Sequence, residues 1–110
     1  MEKDNQVYLL DILRAIDKIE RYVSLIGLET FSSNTMIQDA VIRQLEIVGE
    51  AAKRLSADFL EANPELALRK AAAMRNLLIH QYDYVNVDIV WRTVKDDLPP
   101  FKKQIKDFFQ

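Results

Sequence analysis

The sequence predicts an all-α protein: an up-and-down bundle of four main helices with short helices between them. Apolar residues recur at steps of three and four along several long segments, which is the period of an α-helix. Glycine occurs only twice and proline three times among 110 residues, which is little turn material for a many-stranded sheet. The connections between the long helices are short, and short connections favour antiparallel neighbours. The length suits one hydrophobic core, so we expect a single domain over residues 1–110.

The first main helix is expected from about Asp4 to Ile26, because its apolar residues keep the helical step. Gly27 is placed to end it. The polar segment 29–34 is predicted to be a loop. The apolar stripe of this helix contains Tyr8, Ile12, Ala15, Ile19, Tyr22 and Ile26.

Thr35, with Gln38 three residues later, has the spacing of a capping box that opens the second main helix. This helix is expected to reach about Leu55. Its apolar stripe contains Ile37, Val41, Leu45, Val48, Ala52 and Leu55. The opposite arc is charged, and its members are Asp39, Arg43, Glu46, Glu50, Lys53 and Arg54. A Glu46/Glu50 acid–base pair is one interpretation, but a solvated face with ion pairs such as Glu50–Arg54 is favoured.

The second half of the chain contains further helix boundaries. Ser56 can cap a short helix, and Asn63-Pro64 marks a break, since the residue before proline is disfavoured in helical geometry. A third long helix is expected over about 66–82. Asn86 can cap the fourth, which we expect to be interrupted at Pro99-Pro100 before a last short helix.

Composition excludes several classes of site. The chain has no cysteine, so disulfides, zinc–thiolate sites and a cysteine nucleophile are ruled out. With one histidine, a metal would need a mostly carboxylate site, and no EF-hand spacing is present. We therefore expect neither a metal nor a cofactor. The first residues do not resemble a secretory signal and no apolar run could span a bilayer, so a cytoplasmic protein without a membrane segment is expected.

The overall charge argues against a protein that binds nucleic acid through bulk electrostatics. The formal net charge is -2 and the sequence pI is about 5.4, whereas phosphate neutralisation needs a cationic surface. Any contact with RNA would need a local basic patch. The candidates are Lys53, Arg54, Arg69 and Lys70, although ordinary surface placement is the simpler interpretation of each.

The third main helix carries the most informative polar residues, within the stretch AAAMRNLLIHQYDY at 71–84. At roughly 100° per residue, one arc of this helix is mostly apolar and should face the core. The other arc contains Arg75, Asn76, Ile79, His80 and Tyr82. An outward isoleucine surrounded by these polar residues is typical of a contact surface. Spacing alone still favours structural roles, because a lone helical histidine is more often an ordinary surface or partly buried residue.

Arg75-Asn76, His80 four positions after Asn76, and then Tyr82 resemble the R-x4-H-x-Y signature of HepT-like toxins, small helical ribonucleases of the HEPN superfamily. The resemblance covers nearly the whole chain: 39–56 is similar to the second helix of the family, and 74–105 to its C-terminal half. One departure is the segment PELALRKAAAM at 64–74, where many relatives have Pro-Trp.

The resemblance implies a metal-independent endoribonuclease that works as a homodimer, with two copies of the motif facing each other. It implies catalytic roles for Arg75 and His80 and a supporting role for Asn76. It also implies an antitoxin partner, a nucleotidyltransferase of the MNT type that transfers AMP to Tyr82, in a type VII-like toxin–antitoxin pair that could form a larger hetero-oligomer. The alternative is a non-catalytic helical subunit that docks such a transferase and presents a tyrosine to it.

Overall fold

The computed structural model describes residues 3–65 and 86–109, and Lys3 by its backbone alone. Over these ranges the protein consists of helices and their connections, without a strand, which confirms the all-α bundle. The third predicted helix, over about 66–82, lies outside the described residues. The observed elements are α1 (Lys3–Val23), α2 (Leu28–Ser33), α3 (Thr35–Lys53), α4 (Ala57–Ala62), α5 (Val87–Arg92), a π-helical turn (Thr93–Asp97), α6 (Leu98–Lys106) and a 3-10 turn (Asp107–Phe109).

The core of the described part is built mainly between α1 and α3. Asn5, near the start of α1, donates from Nδ2 to Ser56 Oγ and accepts from the Ser56 N–H, just past the end of α3. The two helices are therefore antiparallel. The side chains that α1 buries completely are Leu9, Ile12, Ile16 and Ile19, and α3 buries Val41, Leu45, Val48 and Ala52 as its sequence predicted.

The buried stripe of α1 differs in part from the predicted one. Leu9, Ile16 and Val23 are buried, whereas Tyr22 is 38% exposed and Tyr8 is only partly buried. Apolar residues lie on both sides of the Ile12–Ile19 row, so two adjacent stripes fit the helical period equally well. Contact with α3 selects the stripe that begins at the buried Asn5 side chain.

The connection between α1 and α3 was predicted wrongly as a loop. The first helix ends at Val23, and Gly27 precedes the first residue of α2 in an extended conformation with φ of -107°. Burial explains the extra helix: Phe31 is fully buried, with its ring centroid 5.1 Å from that of Trp91. A long-range aromatic contact can stabilise six helical residues that local propensity alone would leave unfolded.

The predicted capping box at Thr35 is also wrong. Asn34 is the N-cap of α3, and its side-chain oxygen accepts from the Ile37 N–H at 3.0 Å. Gln38 points back instead, and donates from Nε2 to the carbonyls of Phe31 at 2.8 Å and Ser32 at 3.1 Å. It thereby adds side-chain donors at the end of α2, where the Phe31 carbonyl also accepts from the Asn34 N–H at 3.4 Å.

The other predicted caps are confirmed. Ser56 Oγ accepts from the Phe59 N–H at 3.1 Å at the start of α4, which ends at Asn63. Asn86 Oδ1 accepts from the N–H groups of Asp88 and Ile89 at 3.0 and 3.2 Å and opens α5.

The predicted interruption at Pro99-Pro100 does not occur. The chain remains helical, because the π-helical turn precedes the prolines and places them in the first turn of α6. Proline is tolerated there, since the first N–H groups of a helix have no internal acceptor. The Leu98 N–H bonds to the Thr93 carbonyl five residues earlier, and this wide turn gives the proline rings room.

Candidate functional site and its frame

The residues that the sequence predicts for the active site are Arg75, Asn76, His80 and Tyr82, and all four lie outside the described residues. Their roles therefore stay predictions. What the structure does describe is the frame on both sides of the segment 66–85, which carries the motif.

The N-terminal side of this frame is held by α4 and the C-terminal residues. The ring of Phe59 in α4 lies 5.3 Å from that of Phe108. Asn63 closes α4 by donating from Nδ2 to the Phe59 carbonyl at 2.9 Å. Two residues later, the Glu65 carbonyl accepts from Gln104 Nε2 of α6 at 3.3 Å. The chain therefore enters the motif segment next to α6.

The C-terminal side of the frame is α5, which begins at Asn86 directly after the motif segment. The π-helical turn joins α5 to α6 without a break in the helical backbone. Trp91 of α5 packs against Phe31, and the Lys95 ammonium lies 4.8 Å from the Trp91 ring centroid. This continuous helical unit thus begins directly after the motif segment and, through Gln104, contacts Glu65, the residue directly before that segment.

Lys102 connects this unit to α1. Its Nζ lies 3.1 Å from Asp17 Oδ1 and 3.0 Å from Glu20 Oε2, while only 21% of its side chain is exposed. The hydrogen bond to Glu20 raises the pKa of Lys102 above its ordinary value of 10.5; partial burial opposes the rise and Asp17 adds to it. The sequence shows that Asp17 and Glu20 are three residues apart. It does not show that their partner is Lys102, which lies 82 residues after Glu20.

An open groove of about 370 Å³ lies between α1 and α3. Arg43 Nη1 lies 3.6 Å from Glu46 Oε2, and Arg54 Nε lies 3.5 Å from Glu50 Oε1. The Glu50–Arg54 pair confirms the predicted solvated, ion-paired face, and the arginine beside each glutamate disfavours an acid–base role for them. The lining residues are Tyr8, Asp11, Arg43, Glu46, Ile47, Glu50, Ala51 and Arg54.

The structure places part of the predicted basic patch. Of the candidate basic patch, Lys53 and Arg54 are exposed at the end of α3, while Arg69 and Lys70 lie outside the described residues. Near the C-terminus, Phe101 is buried in the core and Phe108 packs against it, whereas Phe109 is 41% exposed. Among the described helices, none has an apolar stretch long enough to cross a bilayer.

Comparison with known proteins identifies the family. The model of the family described as "Ribonuclease HepT-like" matches residues 12–108. A "Probable ribonuclease HepT" of Thermococcus cleftensis is 44% identical over 102 residues, which cover 93% of each chain. A "Putative RNase" of Methanocaldococcus jannaschii is 35% identical, with 96% of each chain covered.

The similarity also reaches a bacterial relative. A protein of Caldanaerobacter subterraneus that is likewise named a "Putative RNase" is 35% identical over 108 residues, which cover 98% of this chain and 96% of the relative. No solved structure matches this chain. The helical fold and the match across 12–108 agree with the motif resemblance, and the chain belongs to the HepT-like ribonuclease family.

Proposed function

We propose that the protein is the ribonuclease toxin of a two-component toxin–antitoxin pair, and that it cleaves RNA without a metal through Arg75 and His80. The observation that carries this proposal is the family match over residues 12–108, because that range includes the entire segment with the R-x4-H-x-Y motif. The ribonuclease names of relatives that align with more than nine-tenths of the chain support the same activity.

The proposed reaction is a transesterification within RNA. The 2′-oxygen attacks the neighbouring phosphorus, the bond from phosphorus to the 5′-oxygen breaks, and a 2′,3′-cyclic phosphate forms. A base takes the 2′-hydroxyl proton and an acid supplies a proton to the departing 5′-oxygen. His80 suits this work because the unperturbed pKa of histidine is about 6.5. Arg75 holds the phosphate through a permanently charged, bidentate contact as negative charge develops.

A second copy of the chain supplies what one copy lacks. One chain has a single histidine, so a mechanism with separate acid and base histidines needs His80 of the partner subunit. If the predicted helix over about 66–82 forms, Asn76 lies about one turn before His80, and in this proposal it orients the imidazole or holds a phosphate oxygen. We therefore propose a homodimer with the two motifs facing one shared RNA site.

The proposed control of this activity is AMP transfer to Tyr82 by an MNT-type nucleotidyltransferase. The phenol oxygen attacks the α-phosphorus of ATP, pyrophosphate leaves, and the phenol proton goes to solvent or to a base of the transferase. On a helix, Tyr82 and Arg75 would lie on nearly the same side. The added phosphate therefore binds the Arg75 guanidinium group that the RNA phosphate would otherwise contact. Neutralisation is then a local effect of charge and bulk, in the cytoplasm where RNA and ATP are both available.

The proposal is tested by RNA cleavage with purified protein in EDTA. The His80→Ala and Arg75→Ala variants should each lose about 10² to 10³ in rate, because each removes a group that acts in the transition state. Arg75→Lys should recover little, since an ammonium cannot reproduce the planar guanidinium contact. Circular dichroism checks that the variants remain helical. Cleavage by both alanine variants at the wild-type rate would refute the proposed site.

The control mechanism is tested by mass spectrometry after co-expression with the cognate transferase. We expect one or more AMP units on the peptide with Tyr82, and loss of ribonuclease activity in the modified protein. Tyr82→Phe should remain folded, stay active and resist neutralisation. AMP on Tyr84 alone would contradict the assignment. A protein that accepts AMP but never cuts RNA would instead support the alternative function, a non-catalytic subunit that docks the transferase and presents a tyrosine to it.

A further inference from the structure

The outward face of α3 carries charged residues in a regular row. The row consists of four charged residues and one isoleucine: Asp39, Arg43, Ile47, Glu50 and Arg54. They follow one another at steps of three and four, so they lie within an arc of roughly 80° on the helix. The side chains of Arg43 and Arg54 are 68% and 60% exposed. Ile47 lies among them in the groove toward α1. This row is defined as the α3 charged row.

The order of charges along the α3 charged row is complementary to itself when the direction is reversed. In an antiparallel pair of identical helices related by a twofold axis, two residues face each other when their numbers add up to a constant. Asp39 with Arg54 and Arg43 with Glu50 both give the value 93, and both pairs join opposite charges. The corresponding axis passes between Glu46 and Ile47.

The same register places no two like charges directly opposite each other, and the nearest like pair is Glu46 with its own copy, about one residue apart along the axis. Glu46 faces Ile47 at the centre, and Lys53 faces Ala40. Because the axis repeats every contact, one dimer would contain two Asp39–Arg54 pairs and two Arg43–Glu50 pairs. Self-complementarity of this kind is what an interface between two identical surfaces requires.

The ion pairs present within α3 do not oppose such an arrangement. Arg43–Glu46 and Arg54–Glu50 are 3.6 and 3.5 Å long, and they join exposed arginines to partly buried glutamates of the same helix. Pairs of this type contribute only about 0.2 to 0.5 kcal/mol. The arginines can therefore turn toward carboxylates of a second chain at little cost.

The charge of this face makes RNA a poor occupant. Its two arginines are accompanied by Asp39, Glu46 and Glu50, and Asp11 lines the same groove from α1. These four carboxylates outnumber the three basic side chains of the face, Arg43, Lys53 and Arg54, so the face lacks the net positive charge that binding of a phosphate backbone requires. A surface with both signs in mirrored order fits a second copy of itself better than a uniformly charged polymer.

We propose that two copies of the chain pair through the α3 charged row, with their α3 helices antiparallel about a twofold axis between Glu46 and Ile47. The inference rests on the proposed function only for the existence of a homodimer, and it names the surface and the register of that dimer. Ile47 packs near its own copy at the centre, and the Arg43–Glu50 and Asp39–Arg54 pairs flank it on both sides.

The absence of cysteine from the sequence allows a direct test by oxidative cross-linking of the full chain. Ile47→Cys should form a disulfide-linked dimer, because the register leaves the two copies of position 47 about one residue apart along the axis. Met36→Cys is the matched control. It lies on the same side of α3 and is more accessible, with 77% of Met36 exposed. In this register it would be about 30 Å along the axis from its own copy and should not cross-link.

Charge reversal provides a second test that does not disturb Ile47. Arg43→Glu alone and Glu50→Arg alone should each weaken the dimer at least tenfold, since each places two like-charged pairs in the interface. The combined variant Arg43→Glu/Glu50→Arg should recover most of the affinity, because it restores opposite charges between the chains. The new like charges within each helix, at position 43 beside Glu46 and at position 50 beside Arg54, remain. Arg21→Glu on α1 is the control for net charge and should leave the dimer unchanged. Sedimentation at low salt measures all four.

The outcomes separate this inference from the ribonuclease proposal. A dimer that cross-links at position 47, not at 36, and is rescued by the double reversal supports the α3 interface even if RNA is never cut. Failure of rescue, or equal cross-linking at 36 and 47, overturns the inference while the ribonuclease proposal stands. A wild-type protein that is monomeric at micromolar concentration overturns both the interface and the cooperation of two motifs.

Discussion

Two groups of charged side chains in this protein differ in what they connect. Lys102 joins α6 to Asp17 and Glu20 of α1, with N–O distances of 3.1 and 3.0 Å and 21% of its side chain exposed. Arg43 and Arg54 of α3 reach glutamates three or four residues away on their own helix, at 3.6 and 3.5 Å, with 68% and 60% exposed. The first group joins distant parts of the chain, whereas the second joins residues close in sequence on a single helix.

This difference indicates which charges serve the fold of one chain. A lysine shared between two carboxylates and shielded in part from water loses less to solvent screening than an exposed pair does. It also bridges parts of the chain that no local interaction holds together. The arginines of α3 contribute little to the fold, and their charges are available for contacts between chains.

Lys102→Met should produce the largest change in stability among these charged residues. We expect the free energy of unfolding to fall by roughly 1 kcal/mol, because two ion pairs between α1 and α6 are lost while the aliphatic part of the side chain is largely retained. Urea denaturation measures the change. Lys103→Met, at the adjacent exposed lysine, is the matched control and should have a smaller effect. Equal effects would remove the distinction between the two groups.

The pH dependence of this contribution has a definite sign. The folded protein raises the pKa of Lys102 above 10.5, so the protonated lysine stabilises the folded state at every pH below the unfolded value. The contribution is lost as the pH rises through the raised folded pKa. The difference in stability between wild type and Lys102→Met should therefore shrink above pH 10.5, and a difference that grows there would contradict the ion-pair account.

Arg54→Gln should have a much smaller effect on a single chain. At protein concentrations low enough to keep the chain monomeric, we expect a loss of no more than about 0.5 kcal/mol, the range of exposed helical pairs. At concentrations that favour dimers the loss should increase, because Arg54 would face Asp39 of the partner subunit. A loss as large as that of Lys102→Met in the monomer would reverse the comparison between the two groups.

Several features of the fold that depend on neighbouring residues could be predicted from the sequence, although the N-cap of α3 is Asn34 and not the predicted Thr35. The caps at Ser56 and Asn86 and the end of α4 at Asn63 follow from side chains that bond to backbone groups two to four residues away. The buried face of α3 follows from its apolar period. These features are local, so the residues that cause them stand close together in the sequence.

Features that depend on distant contacts could not be predicted. Helix α2 exists where a loop was expected because Phe31 packs against Trp91, which lies sixty residues later. The helix can continue through Pro99-Pro100 because the π-helical turn Thr93–Asp97 precedes it, and no residue pattern in the sequence predicted that turn. The motif with Arg75 and His80 is of a third kind: it was recognised by resemblance, and its geometry stays a prediction.

The central claim is that this chain cuts RNA at a site completed by a second copy, and mixed dimers test it most directly. Wild-type and His80→Ala chains would be mixed in equal amounts, allowed to exchange, and assayed for RNA cleavage in EDTA at constant total protein. If both histidines of a dimer are required, activity should fall to about one quarter of the all-wild-type value, because only that share of randomly formed dimers keeps both. Activity of about one half would show that each His80 acts alone and would contradict the account.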